Sequence, residues 1–176
     1  MLKKLFPYNY VDSVFVIDYE KLMQTGIKAL LFDIDNTLVY HGTDSTPQVD
    51  SLINNLQQMG FKILLITDND EERTLRLMKN FKCDYICDAE KPSSKSYNKA
   101  LEMLGVNNNE AVVIGDQIFK DILGANNSNI PSILVKFIRL KSETNFGKRR
   151  KAEDIILKIY NKSRKYKNRF GNITKN

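Results

Sequence analysis

The sequence has few of the residues on which several classes of protein depend. It contains no tryptophan, one histidine and two cysteines among its 176 residues. Two cysteines are too few for a disulfide scaffold, and the spacing of Cys83 and Cys87, without a nearby histidine, makes a poor zinc site. We therefore expect both cysteines to be small strand residues in a reducing compartment.

Long apolar runs and two nucleotide-binding motifs are also missing. No stretch reaches the roughly 18 apolar residues that indicate a transmembrane helix. The N-terminus carries two lysines but is soon interrupted by Pro7, Asn9 and Asp12, which is a poor pattern for a signal peptide. The lack of G-x-G-x-x-G after the first predicted strand argues against hydride transfer, and the lack of G-x-x-x-x-G-K-[ST] excludes P-loop hydrolysis of nucleotides. We expect a cytoplasmic protein with no transmembrane segment.

Positive charge is present but concentrated at one end of the chain. The net charge is +6, yet residues 139–176 hold 13 Lys and Arg against 3 Asp and Glu, so the residues before them are net acidic. This asymmetry indicates an anionic partner for the tail. The hydrophobic content of 42% is sufficient for a core, and the length favours one domain.

Apolar segments of strand and helix type alternate along the chain. Such alternation predicts an α/β fold with a central parallel sheet and helices on both faces. A short helix is expected ahead of the first strand, at residues 19–24, and a basic helix is expected within residues 146–168. The apolar stripe of that basic helix is predicted to be Ile155, Ile156, Ile159 and Tyr160. The predicted strands are residues 28–34, 61–67, 84–88, 111–116 and 132–137.

Polar residues follow each predicted strand at its carboxyl end. Asp33 and Asp35 follow the first strand, Thr67 closes the second, Lys91 follows the third and Asp116 the fourth. Because the carboxyl ends of parallel strands share one edge of the sheet, we expect these side chains to converge. Carboxylates there suit Mg²⁺, and a lysine with a hydroxyl suits phosphate oxygens. A carboxylate can also attack phosphorus while a second one handles the proton.

The combination resembles the haloacid dehalogenase (HAD) superfamily of phosphatases. The segment DIDNT (33–37) resembles its D-x-D-x-T motif, Thr67 its second motif, Lys91 before Pro92 its third, and GDQIFKD (115–121) its fourth. The segment from Tyr10 to Val39 and the GDQIFKD loop look more narrowly like the YqeG-type phosphatases of bacteria. These are similar to mitochondrial phosphatidylglycerophosphate phosphatases.

The resemblance implies a three-layer Rossmann-like fold and a role for each motif residue. Asp33 would be the nucleophile and a Mg²⁺ ligand, and Asp35 the general acid and base that also offers its backbone carbonyl to the metal. Asp116 would complete the metal site, and Asp121 would orient its waters or Lys91. Phosphate binding would fall to Thr67 and Lys91, with Asn69 beside them.

The spacing of the motifs leaves no room for a large cap domain. Only 31 residues separate Asp35 from Thr67, and 23 separate Thr67 from Lys91, and each interval is used up by one helix and one strand. We therefore expect an open site that favours a large or surface-bound phosphate ester. Asp68 and Lys120 depart from the common family pattern, which puts the substrate preference in doubt.

Two interpretations of the whole chain stay open at the level of sequence. The first is a Mg²⁺-dependent phosphomonoesterase acting through an aspartyl-phosphate, with phosphatidylglycerophosphate as the substrate and the basic segment at an anionic membrane. The alternative is a module that binds RNA or a ribonucleoprotein, with Tyr160, Tyr166 and Phe170 available for stacking. A receiver domain fits less well, because its acceptor follows the third strand. We expect an N-terminal extension over 1–27, a phosphatase core over 28–140, and a basic helix and tail over 141–176.

Overall fold

The computed structural model describes residues 2–138 and 147–175, which form a six-stranded parallel sheet in the order β1-β6-β5-β2-β3-β4. The strands are β1 (Asn9–Val11), β2 (Ala29–Phe32), β3 (Lys62–Ile66), β4 (Asp84–Ile86), β5 (Ala111–Gly115) and β6 (Ser132–Val135). The α-helices are α1 (Tyr19–Gln24), α2 (Pro47–Gln58), α3 (Glu71–Leu77), α4 (Ser94–Leu104), α5 (Leu123–Asn127) and α6 (Lys148–Lys162).

The central strands are buried on both faces, as their continuous apolar sequences predict. In β2 the side chains of Leu30 and Phe32 join the core that contains α2, whereas Ala29 and Leu31 join the core that contains α4. Successive strand residues point to opposite faces, so one short apolar strand supplies both layers. The result is the predicted three-layer α/β fold, and the fold class is confirmed.

The helices α2 and α4 begin and end at residues with recognisable capping roles. Thr46 caps α2 by accepting a hydrogen bond from the backbone N–H of Val49 at 3.3 Å, and Pro47 occupies the first turn. Ser93 caps α4, and Gly105 ends it in the left-handed conformation with φ of 58°. The helices and strands fill the two intervals between the motifs, so within residues 2–138 and 147–175 no cap domain covers the carboxyl edge of the sheet.

An edge strand and the returning tail were not expected from the sequence. The strand β1 pairs in parallel with β6, with Tyr10 opposite Leu134. The tail returns to the N-terminal region, where the backbone N–H of Asp18 donates to the carbonyl of Ile173 at 2.7 Å. Three-residue pairings of this kind have no periodic signal of their own, because only the neighbouring chain supplies their partners. The predicted boundary between residues 140 and 141 lies outside the described residues.

The helix α6 buries a different stripe from the one predicted. Ile156 and Tyr160 are buried with Glu153, but Ile155 and Ile159 are 60% and 43% exposed. The prediction is therefore wrong for Ile155 and Ile159, because the buried face follows the three-residue and four-residue steps from Glu153. Among the described residues, no helix has the length and apolar character needed to cross a bilayer.

Candidate active site

The loop after β2 sends two carboxylates to different places. Asp33 and Ile34 are buried, and the chain turns at Asn36, whose φ is 64°. The turn is closed by a hydrogen bond from the N–H of Asn36 to the carbonyl of Val39 at 2.7 Å. The hydroxyl of Thr37 then donates to Oδ2 of Asp33 at 2.8 Å. The turn thus fixes one oxygen of Asp33 while Ile34 anchors the loop in the core.

Lys91 is the central cation of the site. Its Nζ donates to Oδ1 of Asp33 at 2.6 Å, to Oδ1 of Asp121 at 2.7 Å and to the carbonyl of Ile66 at 3.2 Å. The lysine is buried, and it is anchored by its own backbone N–H, which donates to Oδ1 of Asp68 at 2.9 Å. Burial opposes its charge, but Asp121 and Asp33 outweigh burial and hold the pKa of Lys91 well above its usual value. The ammonium is therefore protonated across the physiological range.

The fourth motif places two more carboxylates beside Lys91. Asp116 directly follows β5, and Asp121 lies within a widened helical turn, Ile118–Ile122. Oδ2 of Asp121 accepts a hydrogen bond from the backbone N–H of Gln117 at 3.0 Å. A Cβ atom at Gly115 would overlap the side chain of Asp121, so only glycine allows this approach. The glycine of the GDQIFKD motif is therefore a packing requirement of the site.

Three carboxylates form a buried cluster that fits a hard cation. Oxygens of Asp33, Asp116 and Asp121 lie within 4.8 Å of one another, and all three residues are buried. Burial is the largest influence on both Asp33 and Asp116, and it raises their pKa values to about 6 and about 8, despite the nearby cations. Such crowding of acidic groups is costly without a cation, and carboxylate oxygens are the ligands that Mg²⁺ prefers.

Asp35 lies outside this cluster. Its Oδ2 accepts a hydrogen bond from Nδ2 of Asn69 at 2.8 Å, and its Oδ1 accepts from Nη2 of Arg73 and from the N–H of Gly42, each at 3.0 Å. Partial burial would raise the pKa of Asp35, but these hydrogen bonds outweigh burial and hold the pKa below its usual value. The structure therefore separates the side chain of Asp35 from the carboxylates that could hold a metal.

A small polar cavity joins the two carboxylates. Thr67 is buried at its edge, and its hydroxyl accepts a hydrogen bond from the N–H of Asn69 at 3.2 Å. The cavity has a volume of about 110 Å³, which suits a phosphoryl group rather than a large ligand. Its lining residues are Asp33, Asp35, Asn36, His41, Thr67, Asp68, Asn69, Lys91, Gln117 and Lys120.

The two departures from the family pattern pair with each other at the cavity. Nζ of Lys120 lies 2.7 Å from Oδ2 of Asp68, while Oδ1 of Asp68 accepts from the backbone of Lys91. The extra negative charge of Asp68 is thus offset by the extra positive charge of Lys120. Their joint effect is to tie the loop that carries Lys91 to the turn that carries Asp121.

Two arginines of the site were missed by the sequence reasoning. Arg73 on α3 contacts Asp35, and Arg150 on α6 contacts Asp116 through its Nη2. Neither residue lies in a motif at a strand end, so the pattern of the sheet gives no signal for them. Only the charge of the surrounding segments is visible in the sequence, and it does not indicate which arginine turns inward.

The protein is a three-layer α/β protein with a buried cluster of carboxylates around a lysine, and the cluster lies at the carboxyl edge of the sheet, where ligands bind in folds of this class. The family model for haloacid dehalogenase-like hydrolases matches residues 19–135. The chain belongs to the haloacid dehalogenase-like hydrolase family. The superfamily membership and the hydrolytic enzyme predicted from the sequence are thereby confirmed.

Individual relatives narrow the comparison. The chain is 34% identical over 137 residues to the Bacillus subtilis (strain 168) protein named "Probable phosphatase YqeG", covering 77% of this chain and 80% of that protein. This match confirms the predicted YqeG-type resemblance. The chain is also 31% identical over 149 residues to the glyceraldehyde 3-phosphate phosphatase of Pyrococcus furiosus. The match covers 75% of this chain but only 58% of that protein's length.

A solved structure supports the fold alone. An uncharacterized protein from Listeria monocytogenes serotype 4b superposes with a TM-score of 0.54 at 18% sequence identity. The match covers 75% of this chain and 99% of the other. At this sequence identity, the similarity supports the arrangement of the sheet and helices but not any conclusion about the substrate.

Proposed function

We propose that the protein is a Mg²⁺-dependent phosphomonoesterase that works through an aspartyl-phosphate on Asp33. The observation that carries the proposal is the position of Nζ of Lys91, which bridges Asp33 and Asp121 at 2.6 and 2.7 Å beside a third buried carboxylate. A structural ion pair needs one carboxylate for one lysine. The surplus of buried acid around Asp33, which itself lines the small polar cavity, favours a cation and a phosphoryl group instead.

In the first step, an oxygen of the Asp33 carboxylate attacks the phosphorus of the ester. A bond forms between that oxygen and phosphorus, the ester P–O bond breaks, and the leaving alcohol takes a proton from Asp35. We assign the binding of the phosphoryl oxygens to Lys91 and Thr67, and the assignment is supported by the cavity that both residues line together with Asp33. Asn69 lines the same cavity but also holds Asp35, so it links the phosphate site to the acid.

In the second step, water replaces Asp33 on phosphorus. Asp35, ionised after the first step, takes a proton from the water, whose oxygen attacks the aspartyl-phosphate. Inorganic phosphate leaves with the new oxygen, and the Asp33 carboxylate and the protonated Asp35 are regenerated. In the free protein the hydrogen bonds from Asn69, Gly42 and Arg73 hold the pKa of Asp35 below its usual value and favour its ionised form. The mechanism therefore requires Asp35 to take up a proton when the phosphate ester binds, before it can act as the acid of the first step.

The residues present fit Mg²⁺ as the cofactor. Asp33, Asp116 and Asp121 offer one oxygen each within mutual reach, and the backbone carbonyl of Asp35 is the further ligand that the family implies. When bound, Mg²⁺ supplies positive charge that offsets the charge of the transferring phosphoryl group. Lys91 shares that task, and Thr37 keeps Asp33 in the orientation needed for attack.

The proposed substrate is a phosphate ester presented at an anionic surface, with phosphatidylglycerophosphate as the first candidate. The open site supports a large or surface-bound ester. The exposed Ile155 and Ile159 share the solvent side of α6 with lysines, a composition that suits the interface of an anionic bilayer. The proposed setting is the cytoplasm, with the protein held peripherally at a membrane. The exposed lysines of α6 are Lys148, Lys151, Lys158 and Lys162.

The RNA-binding alternative loses its candidate stacking residues. Tyr160 is buried, Tyr166 packs on Phe6 with ring centroids 5.5 Å apart, and Phe170 packs on Tyr8 at 5.2 Å. Stacking on bases requires free aromatic faces, and these rings instead hold the tail against the N-terminal segment. The basic charge that remains is suited to any polyanion, so the lipid surface is preferred for its additional exposed isoleucines.

The test is phosphate release by the full chain with Mg²⁺, from phosphatidylglycerophosphate in vesicles and from soluble esters including glyceraldehyde 3-phosphate. Asp33→Asn should abolish release, whereas Asp12→Asn, an exposed aspartate far along the chain from the site, should leave it unchanged. Rapid quenching should trap one phosphoryl group on Asp33. Equal release by Asp33→Asn would refute the catalytic assignment, and release from soluble esters alone would refute only the lipid substrate.

A further inference from the structure

The C-terminal helix reaches into the site through one side chain. Arg150 lies in the first turn of α6, far along the chain from every motif, yet its Nη2 donates to Oδ2 of Asp116 and its Nη1 donates to the backbone carbonyl of Asp116 at 2.7 Å. The guanidinium therefore holds both the side chain and the main chain of one residue. This double contact restrains how the Asp116 carboxylate can rotate.

Arg150 is itself held in place from two sides. Its Nη1 also donates to Oε2 of Glu153 at 3.0 Å, and its guanidinium carbon lies 4.7 Å from the ring centroid of Phe137. Glu153 is buried, and its Oε1 accepts from the backbone N–H of Phe119 at 3.2 Å. Glu153 thus ties α6 to the loop between Asp116 and Asp121, and Arg150 is locked between the helix and the site.

The contact leaves the other oxygen of Asp116 facing the acidic cluster. Oδ1 of Asp116 lies 3.4 Å from the hydroxyl of Thr37, which also donates to Asp33. One carboxylate oxygen is therefore taken by the arginine and the second is turned toward Asp33. A planar guanidinium can fix a carboxylate in this way, whereas the point charge of a lysine cannot.

We propose that Arg150 is a positioning residue of the cation site, which couples the docking of α6 to Mg²⁺ binding. The inference rests on the proposed function, because it takes the cluster of Asp33, Asp116 and Asp121 as the Mg²⁺ site. Residues that orient metal ligands are worth about 10- to 100-fold in metal affinity. The basic tail then has a role in the site, because its helix α6 orients the metal ligand Asp116 through Arg150.

The sign of the effect separates orientation from simple charge. A cation near a Mg²⁺ site repels the metal, so if charge alone mattered, loss of Arg150 would tighten Mg²⁺ binding. If orientation matters, both Arg150→Met and Arg150→Lys weaken Mg²⁺ binding. The methionine removes the hydrogen bonds to Asp116, and the lysine keeps the charge but lacks the planar guanidinium that holds Asp116 at both its carboxylate and its backbone carbonyl. By linkage, Mg²⁺ must also favour the docked helix by the same factor by which docking favours Mg²⁺.

The first experiment is calorimetric titration of Mg²⁺ into the metal-free full chain. We expect Arg150→Lys and Arg150→Met to bind Mg²⁺ about 10- to 100-fold more weakly than the unaltered protein. The control is Arg149→Met, which removes an exposed arginine from the same turn of α6 and should leave the affinity unchanged. Mg²⁺ binding by both Arg150 variants that is as tight as, or tighter than, that of the unaltered protein would overturn the proposal.

The second experiment measures the docking of α6, by its cleavage with trypsin, rather than the affinity for Mg²⁺. Trypsin cleaves after lysine and arginine, and α6 carries exposed sites such as Lys148 and Lys151. Mg²⁺ should slow cleavage within α6 in the unaltered protein and in Arg149→Met, but much less in Arg150→Lys. Equal cleavage rates with and without Mg²⁺ in the unaltered protein would contradict the coupling. This readout also covers the case in which Arg150→Met fails to fold.

The two proposals fail in different ways. If the unaltered protein binds no Mg²⁺, or if Asp116→Asn binds it equally well, the metal site of the proposed function is wrong and the coupling falls with it. If the unaltered protein binds Mg²⁺, Asp116→Asn loses it and the Arg150 variants retain it, only the coupling is wrong.

Discussion

The site has two halves with different surroundings, although the carboxylates at their centres, Asp33 and Asp35, are separated by a single residue. We call Asp33, Lys91, Asp116 and Asp121 the inner half, and Asp35, Asn69 and Arg73 the outer half. The inner half is buried and its acids are crowded, so burial raises the pKa values of Asp33 and Asp116 to about 6 and about 8. In the outer half, hydrogen bonds outweigh partial burial, and the pKa of Asp35 is lowered.

Under the proposed mechanism, this difference in surroundings gives the two carboxylates of one turn two different tasks. Ile34, between them, is buried in the core, and the Asp33 and Asp35 side chains contact different partners on its two sides in sequence. One meets a lysine and two further acids, and the other meets an amide and an arginine. Because a nucleophile with a cation and an acid–base group need different surroundings, we expect each half to fail in its own way when altered.

The largest expected effect tests the outer half by substitution of Asp35. Asp35→Asn should lower hydrolysis of alkyl phosphates by about 10²- to 10⁴-fold, because the leaving alcohol and the attacking water both lose their proton partner. With p-nitrophenyl phosphate, whose leaving group needs no proton, the first step should be spared and aspartyl-phosphate should accumulate. Quenched mass spectrometry measures this accumulation. An equal loss on both substrates, with no trapped intermediate, would erase the proposed division between the halves.

The next effect concerns the inner half and pH. The folded-state pKa values of Asp33 and Asp116 are raised above the ordinary value of 3.8 to about 6 and about 8, so their protonation stabilises the folded form at low pH. That contribution is complete below about pH 4 and is lost as pH rises through about 8. The metal-free protein should therefore melt at a lower temperature at pH 8 than at pH 5, and saturating Mg²⁺ should remove most of the difference.

Thermal unfolding at several pH values measures this dependence. Asp116→Asn should flatten it, because the amide does not titrate, whereas Asp12→Asn should not. Asp35 in the outer half has the opposite effect on folding stability, because its pKa is lowered. Its stabilising contribution is lost only at acidic pH, where Asp35 becomes protonated. A melting temperature of the metal-free protein that rises between pH 5 and pH 8 would contradict the inner-half assignment.

A packing change at Gly115 should produce a smaller effect. Gly115→Ala places a Cβ against the side chain of Asp121 and should destabilise the fold by about 1–3 kcal/mol, with weaker Mg²⁺ binding as Asp121 shifts from Lys91. Denaturant unfolding and metal titration measure the two consequences. Gly147→Ala is the matched control, because nothing lies within 4 Å of its Cβ position. Unchanged stability and metal binding in Gly115→Ala would show that Asp121 is not held by this close approach.

The smallest effect belongs to the pair at the rim of the cavity. Asp68 and Lys120 are both partly exposed, so breaking their ion pair should cost less than about 1 kcal/mol of folding free energy. A double-mutant cycle with Asp68→Asn and Lys120→Met measures the coupling, and the ratio of activities on lipid and soluble esters measures specificity. A coupling energy well above that size would mean that the ion pair is required to position Lys91, and would contradict a minor role for the pair.

Much of the fold and of the inner half could be predicted from the sequence. Residues 29–32 and 111–115 form strands because continuous apolar runs bury both faces, and Asp33 and Asp116 follow at the ends where a parallel sheet must bring them together. The capped helices were visible for the same local reasons, at Thr46 and Ser93. The roles of Lys91 and Asp121 came from the family resemblance, and their contact within 2.7 Å is consistent with those roles.

The remaining parts had no local signal. The strand β1 and the returning tail at Ile173 depend on partners more than a hundred residues away. On α6, Arg150 and Glu153 turn inward, and nothing in their own sequence distinguishes them from the exposed Arg149 and Lys151. The buried stripe of α6 was partly mispredicted for the same reason.

The amino-acid sequence by itself determined the layered sheet and the edge at which the acids gather, because burial and strand direction follow from apolar runs and their alternation with helices. The tertiary structure alone decided which carboxylates share the inner half, which arginines contact the carboxylates of the site, and where the basic tail packs. Those outcomes depend on contacts between segments far apart in the chain, and such contacts are set by packing and charge in three dimensions rather than by any local pattern.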